Sequence, residues 1–353
     1  MPDILTVHDT PDAWTRMQPV VRALQASPTL HPLGAAIHGR SADVDALISE
    51  ASPEAVLVES ATAASLAAAT AAAARGIPVA HLGAGRRGGG AAGTAGAPAS
   101  AAAETVRREI DRIAALHLAP TRHAARLLLA ASVPEERIVV TGDTVVDAVG
   151  ELGALADPGL EPDRPLVLVA LHSDESAGAS AGRIGTAVRV LASRYPRHDF
   201  VLAGGPGLAV HAGVGSALGR RVGIHAASPR DFAELVGLIG RSVLVLTDCP
   251  SVEEVAPTLN VPVLVLGETT SRPEGVLAGT SAVVGTRVEA VVEEASLLLA
   301  DPVRHRSMAS AVSPFGDGRA AERVVAALAQ LLGVGARLPD FAPALRRESV
   351  VAR

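Results

Sequence analysis

Continuous apolar runs separated by helical segments set the pattern of this chain. The runs are Val56 to Val58, Ile77 to Ala80, Leu166 to Leu171, Val243 to Leu246 and Val261 to Leu266, and the largely apolar Ile4 to Val7 predicts a short first strand. Strands buried on both faces of a parallel sheet read as unbroken apolar runs, whereas half-exposed strands alternate apolar and polar residues. The alternation of these runs with helical segments therefore predicts an α/β protein with parallel sheets.

The stretch from Leu244 to Gly275, LVLTDCPSVEEVAPTLNVPVLVLGETTSRPEG, predicts a strand, a helix and a second strand. The first strand stops at Thr247 and Asp248, so both residues should lie at the carboxyl edge of the sheet. Open α/β sheets bind ligands at that edge. A helix that begins there offers free backbone N–H groups to a phosphate. We therefore expect an anion site in this stretch.

A segment rich in proline and charge, Asp157 to Pro165, separates two periodic halves of the chain and predicts an interdomain linker. The chain has 353 residues, and single hydrophobic cores stop growing at about 250–300 residues. We therefore expect an amino-terminal domain over residues 1–156, the linker over 157–165 and a carboxyl-terminal domain from residue 166.

Composition excludes several classes of function. A net charge of −6 gives no electrostatic footprint for nucleic acid. All 31 basic residues are arginine, which excludes lysine-based Schiff-base chemistry and the lysine of a Walker-type phosphate loop. The single cysteine, Cys249, excludes an intrachain disulfide and a multi-cysteine metal site. We expect neither a cofactor nor a metal.

The chain carries no signal for export or for a membrane. Its amino-terminus lacks the charged-then-apolar pattern of a signal peptide, and no uncharged apolar run reaches the ~18 residues of a membrane span. The expected compartment is the reducing cytoplasm, and no membrane partner is expected.

Several motifs resemble one known family. The order TD-x-x-x-x-x-E-x-A-P followed by TT-x-RPEG, the segment HLGAGRR at His81 to Arg87 and the segment SPFGDG at Ser313 to Gly318 resemble parts of the non-hydrolysing UDP-N-acetylglucosamine 2-epimerases. The resemblance covers about residues 55 to 335. It implies two Rossmann-like parallel-sheet domains facing across a cleft, the glycosyltransferase-B type.

The resemblance also implies how the chain ends and assembles. The second domain should run over residues 166–318, a helix over 319–335 should return to the first domain, and residues 336–353 should form a tail. Members of the family commonly form dimers, which implies a homodimer. A hetero-oligomer with an active homologue is the alternative.

The ligand implied by the resemblance is a UDP-sugar or a related small anion. His172, which follows a buried strand directly, is the candidate catalytic residue. The candidate substrate-binding residues are Arg16, Arg87, Glu104, Arg107, Glu175, Thr247, Asp248, Glu253, Glu254 and Arg272.

The chain departs from the family at the positions that carry the chemistry. Three family carboxylates are replaced by Ala61, Gly83 and Ala103. Pro250 stands where the family has a glycine, and proline has no N–H to offer a diphosphate. The family removes the proton at C2 of the sugar and expels UDP, then re-adds UDP to the opposite face of the glycal.

These departures leave three hypotheses open. General acid–base groups contribute about 10²–10⁴-fold each, so ordinary epimerisation should be undetectable. The first hypothesis is an enzyme of altered chemistry that uses His172, Glu175, Asp248 and Glu254. The second is a catalytically silent binding or partner subunit. The third is a genuine epimerase in which other acids compensate.

Overall fold

The computed structural model describes residues 1–36, 41–59, 61–86, 98–152, 163–171, 179–204 and 223–344. The chain divides into two compact units. Unit 1 comprises the described residues of 1–151 and 315–343, and unit 2 comprises those of 152–314. Each unit is built on its own parallel sheet. The predicted fold class, α/β with two Rossmann-like parallel sheets, is confirmed.

Unit 1 is a six-stranded parallel sheet with helices on both faces. Its strands are β1 (Asp3–His8), β2 (His31–Ala36), β3 (Ala55–Glu59), β4 (Val79–Leu82), β5 (Leu116–Ala119) and β6 (Ile138–Val140). Its first six helices are α1 (Pro11–Gln25), α2 (Ser41–Ala51), α3 (Ala63–Ala74), α4 (Pro98–Ile113), α5 (Arg122–Ala130) and α6 (Thr144–Glu151).

The strand order in unit 1 is β2-β1-β3-β4-β5-β6. The chain therefore runs from β1 to one side and then crosses to β3 on the other side. This reversal between β1 and β3 is a topological switch point, and open α/β sheets bind ligands outside the carboxyl ends of the strands at such points.

Unit 2 repeats this architecture with a different strand order, β9-β8-β7-β10-β11-β12. Its strands are β7 (Leu166–Ala170), β8 (Asp199–Ala203), β9 (Ile224–Ala227), β10 (Ser242–Thr247), β11 (Val263–Val265) and β12 (Ser281–Val283). Its helices are α7 (Ala179–Arg194), α8 (Phe232–Arg241), α9 (Pro250–Val255), α10 (Pro273–Ala278), α11 (Val288–Ala300) and α12 (Pro302–Ala309). The switch point of this sheet lies between β7 and β10.

The last helix, α13 (Ala320–Leu331), belongs to unit 1 although it follows unit 2 in sequence. Val324 and Leu328 of α13 are fully buried in one core cluster with Met17 and Leu24 of α1. Beyond this helix, Phe341 is only 2% exposed and its N–H donates to the Val140 carbonyl at 2.7 Å. The first part of the segment predicted to be a tail therefore packs on unit 1.

Candidate functional site

The switch point of unit 1 carries a buried cluster of charged side chains. Glu59 is the last residue of β3, and Arg16 lies in α1, the helix that follows β1. Arg16 is 2% exposed and its Nη1 donates to Asp143 Oδ1 at 2.7 Å. Its Nε lies 4.0 Å from Glu59 Oε1 and 3.6 Å from the exposed Asp12. The predicted binding residue Arg16 is therefore held at the ligand-binding edge of the sheet.

Asp143 joins two arginines in this cluster. One carboxylate oxygen accepts from Arg16, and the other accepts from Arg86 Nη2. The carboxylate also accepts from the backbone N–H of Val145 at 3.0 Å, and the Asp143 N–H donates to Phe315 at 2.7 Å. Because Asp143 is fixed by both its side chain and its backbone, it holds both guanidinium groups in place.

Glu59 is a carboxyl group of this cluster whose pKa is strongly raised. Burial raises the pKa of Glu59 to about 7, while the nearby positive charge of Arg16 opposes that rise. The negative charge of Asp12 raises the pKa further, and Arg86 and Arg107 lower it. Glu59 Oε2 is buried and has no hydrogen-bond partner among the described residues. Sequence analysis missed this residue, for which the signal is a single acid ending an otherwise apolar strand.

The switch point of unit 2 is organised by Thr247, the last residue of β10. Its hydroxyl donates to the Ala170 carbonyl at the end of β7, at 2.6 Å. The same hydroxyl accepts from the N–H of Cys249 at 2.9 Å. Asp248, which stands between Thr247 and Cys249 in the sequence, is half-buried. The structure thus gives the Thr247 side chain the role of fixing the loop that follows the strand.

Three further predicted residues come together beside this loop. Glu254 accepts from Arg272 Nε at 2.5 Å, and Glu253 accepts from the Thr270 hydroxyl at 2.6 Å. Thr270 Oγ1 in turn accepts from the Arg272 N–H at 2.8 Å. Burial raises the pKa of Glu253 to about 7, against the hydrogen bond from Thr270. Both glutamates are almost fully buried. Because they accept hydrogen bonds from Thr270 and Arg272, they fix the loop that contains Arg272.

Neither a metal centre nor a membrane segment emerges from the described residues. They contain no group of three or more histidine, cysteine or acidic side chains that could hold a metal ion. Cys249 is buried and is not in a disulfide. None of the described helices is both long and apolar enough to cross a bilayer.

Comparison with known proteins decides the family. The model of the UDP-N-acetylglucosamine 2-epimerase family matches residues 21–329. A UDP-N-acetylglucosamine 2-epimerase of Yersinia pestis is 34% identical over 295 residues, covering 80% of this chain and 77% of the relative. That of Escherichia coli K12 is 33% identical over 296 residues, covering 80% and 77%. The chain belongs to the UDP-N-acetylglucosamine 2-epimerase family.

Solved structures of the family are similar along nearly the whole chain. Staphylococcus aureus MnaA in complex with UDP superposes with a TM-score of 0.85 at 29% identity, covering 97% of this chain and 100% of that chain. The Neisseria meningitidis UDP-GlcNAc 2-epimerase bound to UDP-GlcNAc gives a TM-score of 0.79 at 27% identity, covering 93% and 100%. The predicted family membership is confirmed.

The three positions that the sequence analysis predicts to replace family carboxylates all lie in unit 1. Ala61 directly precedes Thr62, the residue that caps α3. Gly83 follows β4 with a left-handed φ of +75°, a conformation that glycine adopts at no steric cost. Ala103 lies in α4 one turn before Arg107. None of these sites has a side chain that can move a proton.

The remaining predicted residues of unit 1 are paired with each other or fall outside the described residues. Glu104 accepts from Arg107 and Arg108, each at 3.1 Å. Arg87 of unit 1 lies outside the described residues, as do His172 and Glu175 of unit 2. Arg86, which sequence analysis did not select, takes a place in the charged cluster. Its signal was the adjacent Arg-Arg pair, in which sequence alone cannot show which arginine faces the site.

Proposed function

We propose that this chain binds a UDP-sugar or a related nucleotide anion and acts on it with a proton-transfer group other than the three family carboxylates. One contrast carries the proposal. The carboxyl edge of unit 1 carries two arginines, Arg16 and Arg86, fixed by Asp143, while Ala61, Gly83 and Ala103 carry no acid. The ligand class is supported by the Staphylococcus aureus and Neisseria meningitidis relatives, which were solved with UDP and UDP-GlcNAc.

Unit 2 supports the same ligand class with a weaker phosphate contact. Glu253, Glu254 and Arg272 form a fixed cluster next to the loop after β10. Pro250 is the first residue of α9 and has no N–H. One missing hydrogen bond weakens binding by about 1 kcal/mol, which corresponds to roughly fivefold in affinity. We therefore expect nucleotide binding that is weakened but retained.

A second candidate is a catalytically silent subunit that pairs with an active homologue. The observation that favours it is the loss of all three family carboxylates in a scaffold that is otherwise retained. Fold and function separate in this way when a site changes while its supporting strands do not. An unmodified epimerase with compensating acids is the third candidate. A cytoplasmic homodimer stays part of the main proposal, and sedimentation measures its oligomeric state.

Calorimetric titration with UDP and then with UDP-GlcNAc tests the proposal. We expect saturable binding of both ligands by the full-length protein. A P250G variant restores the N–H of the family glycine and should bind UDP about fivefold more tightly. Absence of binding at millimolar ligand in both proteins would rule out a nucleotide-sugar site. Binding without any change in the sugar would favour the silent subunit.

A further inference from the structure

Glu59 occupies the place in unit 1 where the sheet topology puts a ligand. It ends β3, and β3 borders the switch point with β1. It also lies two residues before Ala61, where the family has a catalytic carboxylate. A glutamate at this point therefore stands at the ligand-binding edge of the sheet, beside a position that has lost its acid.

The carboxyl group of Glu59 is buried without the bonding that a structural carboxylate receives. Its Oε2 has no hydrogen-bond partner among the described residues, and its Oε1 comes no closer than 4.0 Å to Arg16. Glu253 in unit 2 is also buried, yet it accepts from Thr270 at 2.6 Å. Buried polar atoms are nearly always paired, so an unpaired one calls for an explanation such as a catalytic role. The Glu59 side chain keeps 7% of its surface exposed.

The surroundings of Glu59 leave both its protonated and its ionised form accessible near neutral pH. Arg16 and Asp12 face it from α1, Arg86 from the turn after β4 and Arg107 from α4. Both Arg16 and Arg86 pair with Asp143, so their charge at Glu59 is partly compensated. Burial then dominates and brings the pKa of Glu59 to about 7. A general acid or base works best with a pKa near the operating pH.

We propose that Glu59 is the catalytic carboxyl group of this site and exchanges a proton with the sugar carbon next to the anomeric carbon. This inference rests on the proposed nucleotide-sugar function. The Glu59 carboxylate takes the proton from that carbon, and the C–H electron pair forms the double bond to the anomeric carbon. The bond between the anomeric carbon and UDP breaks, and UDP leaves with its electron pair. In the reverse step the protonated Glu59 returns the proton, and UDP re-adds.

Solvent exchange measures this step directly. UDP-GlcNAc is incubated with the full-length protein in D₂O, and deuterium at each sugar carbon is followed by NMR. We expect incorporation next to the anomeric carbon, at a rate that rises with pH through about pH 7, the pKa of Glu59, and levels off above it. The E59Q variant should lose exchange at least about 10²-fold, the lower bound for removing a general base, and should still bind UDP. D147N removes another buried carboxyl of unit 1 and should exchange at the wild-type rate.

The outcomes separate this inference from the proposed function. Exchange by E59Q at the wild-type rate would overturn the role of Glu59 alone. A wild-type protein that binds UDP but exchanges nothing would overturn both the role of Glu59 and the proton transfer in the proposed function, and would favour the silent subunit. A wild-type rate that does not vary between pH 5.5 and 8.5 would do the same without relying on any variant. Failure of the wild-type protein to bind UDP at all would overturn the proposed function, and this inference with it.

Discussion

Two buried glutamates, one in each unit, show that a raised pKa alone does not mark a functional residue. Burial raises the pKa of both Glu59 and Glu253 to about 7. Glu253 accepts a hydrogen bond from Thr270, whereas Glu59 Oε2 has no such partner among the described residues. The hydrogen bonding, and not the pKa, therefore distinguishes the fixed carboxyl group from the one available to a ligand.

The ion pair of Glu254 and Arg272 gives the first prediction at the residue scale. Their side chains are 1% and 12% exposed, so R272A leaves a buried carboxylate without its cation. Breaking a buried pair costs about 3–5 kcal/mol, and we expect a loss near the lower value in urea unfolding. R304A breaks the exposed pair of Arg304 with Glu294 and should cost less than about 1 kcal/mol.

The paired variant E254Q/R272M serves as the internal control for this prediction. It removes both charges, so most of the loss seen in R272A should be recovered. If R272A were no more destabilising than R304A, the Glu254 carboxylate would have to be solvated in a way that its burial does not show.

About half of the residues that meet at these sites were predicted from the sequence. A physical reason separates the predicted residues from the missed ones. Glu253, Glu254 and Arg272 follow two neighbouring strands whose apolar runs are plain, and parallel strands bring their carboxyl ends to one edge. The contact of Arg16 with Asp143 spans 127 positions, and no local pattern contains it. Glu59 reads as an ordinary charged residue at a strand end until its surroundings are known.

At the scale of elements, one aspartate anchors the returning helix. Asp147 in α6 accepts from the N–H groups of Ala320 at 3.2 Å and Ala321 at 2.8 Å. The first N–H groups of a helix have no partner within the helix, so this carboxylate satisfies two of them at the start of α13. Burial nevertheless raises the pKa of Asp147 to about 6, with both hydrogen bonds opposing the rise. The contact spans 173 and 174 positions, which places it beyond any local sequence signal.

The turn after β4 gives a prediction about packing between elements. Gly85 has a φ of +75°, and a Cβ there would lie 2.3 Å from the carbonyl oxygen of Ala124 in α5. G85A should therefore combine a left-handed backbone cost of about 1–2 kcal/mol with an overlap cost of about 1–3 kcal/mol. Thermal and urea unfolding would measure a total near 3 kcal/mol or more.

Gly76 provides a matched control for this substitution. It follows α3 with a φ of +70°, and a Cβ there meets nothing within 4 Å. G76A should therefore show the backbone cost alone, about 1–2 kcal/mol. Equal losses for G76A and G85A would mean that β4 and α5 move apart easily, and that their close approach contributes little.

The elements themselves were largely predictable because their signals are local. The run from Leu166 to Leu171 became β7 (Leu166–Ala170), and the run from Val261 to Leu266 contains β11 (Val263–Val265). Both are unbroken because each strand is covered on both faces. Phe341 was assigned to a tail because no periodic pattern surrounds it, yet it is buried among residues of α5 and β6.

At the scale of the whole molecule, each unit carries its cluster of charged side chains at or beside the point where its strand order reverses, although the two strand orders differ. Unit 1 reverses between β1 and β3, and unit 2 reverses between β7 and β10. The clusters described above lie at or beside these reversals. Glu59 and Glu253, the carboxyl groups whose pKa is raised to about 7, belong to these clusters. Glu59 in unit 1 and Glu253 in unit 2 are thus buried glutamates whose ionisation opposes folding.

The raised pKa values of Glu59 and Glu253 predict that both units lose stability as pH rises. A carboxyl whose pKa is about 7 in the folded state and near 4.5 in the unfolded state stabilises the fold fully below pH 4.5 and loses that contribution as pH rises through 7. The loss is about 3 kcal/mol for each group. Glutamine stays neutral, so E59Q and E253Q should each become more stable than the wild-type protein at pH 8.

Peptide-resolved hydrogen exchange under native conditions separates the two units in this experiment. The advantage of E59Q should appear in the peptides of unit 1 and that of E253Q in those of unit 2, each growing by about 2–3 kcal/mol between pH 5 and pH 8. E109Q alters a half-exposed carboxyl in α4, paired with Arg112, and serves as the control with no growing advantage. A difference in stability between E59Q and the wild-type protein that stays constant from pH 5 to pH 8 would mean that Glu59 is ionised throughout that range. The proton transfer that we assign to it would then lose its physical basis.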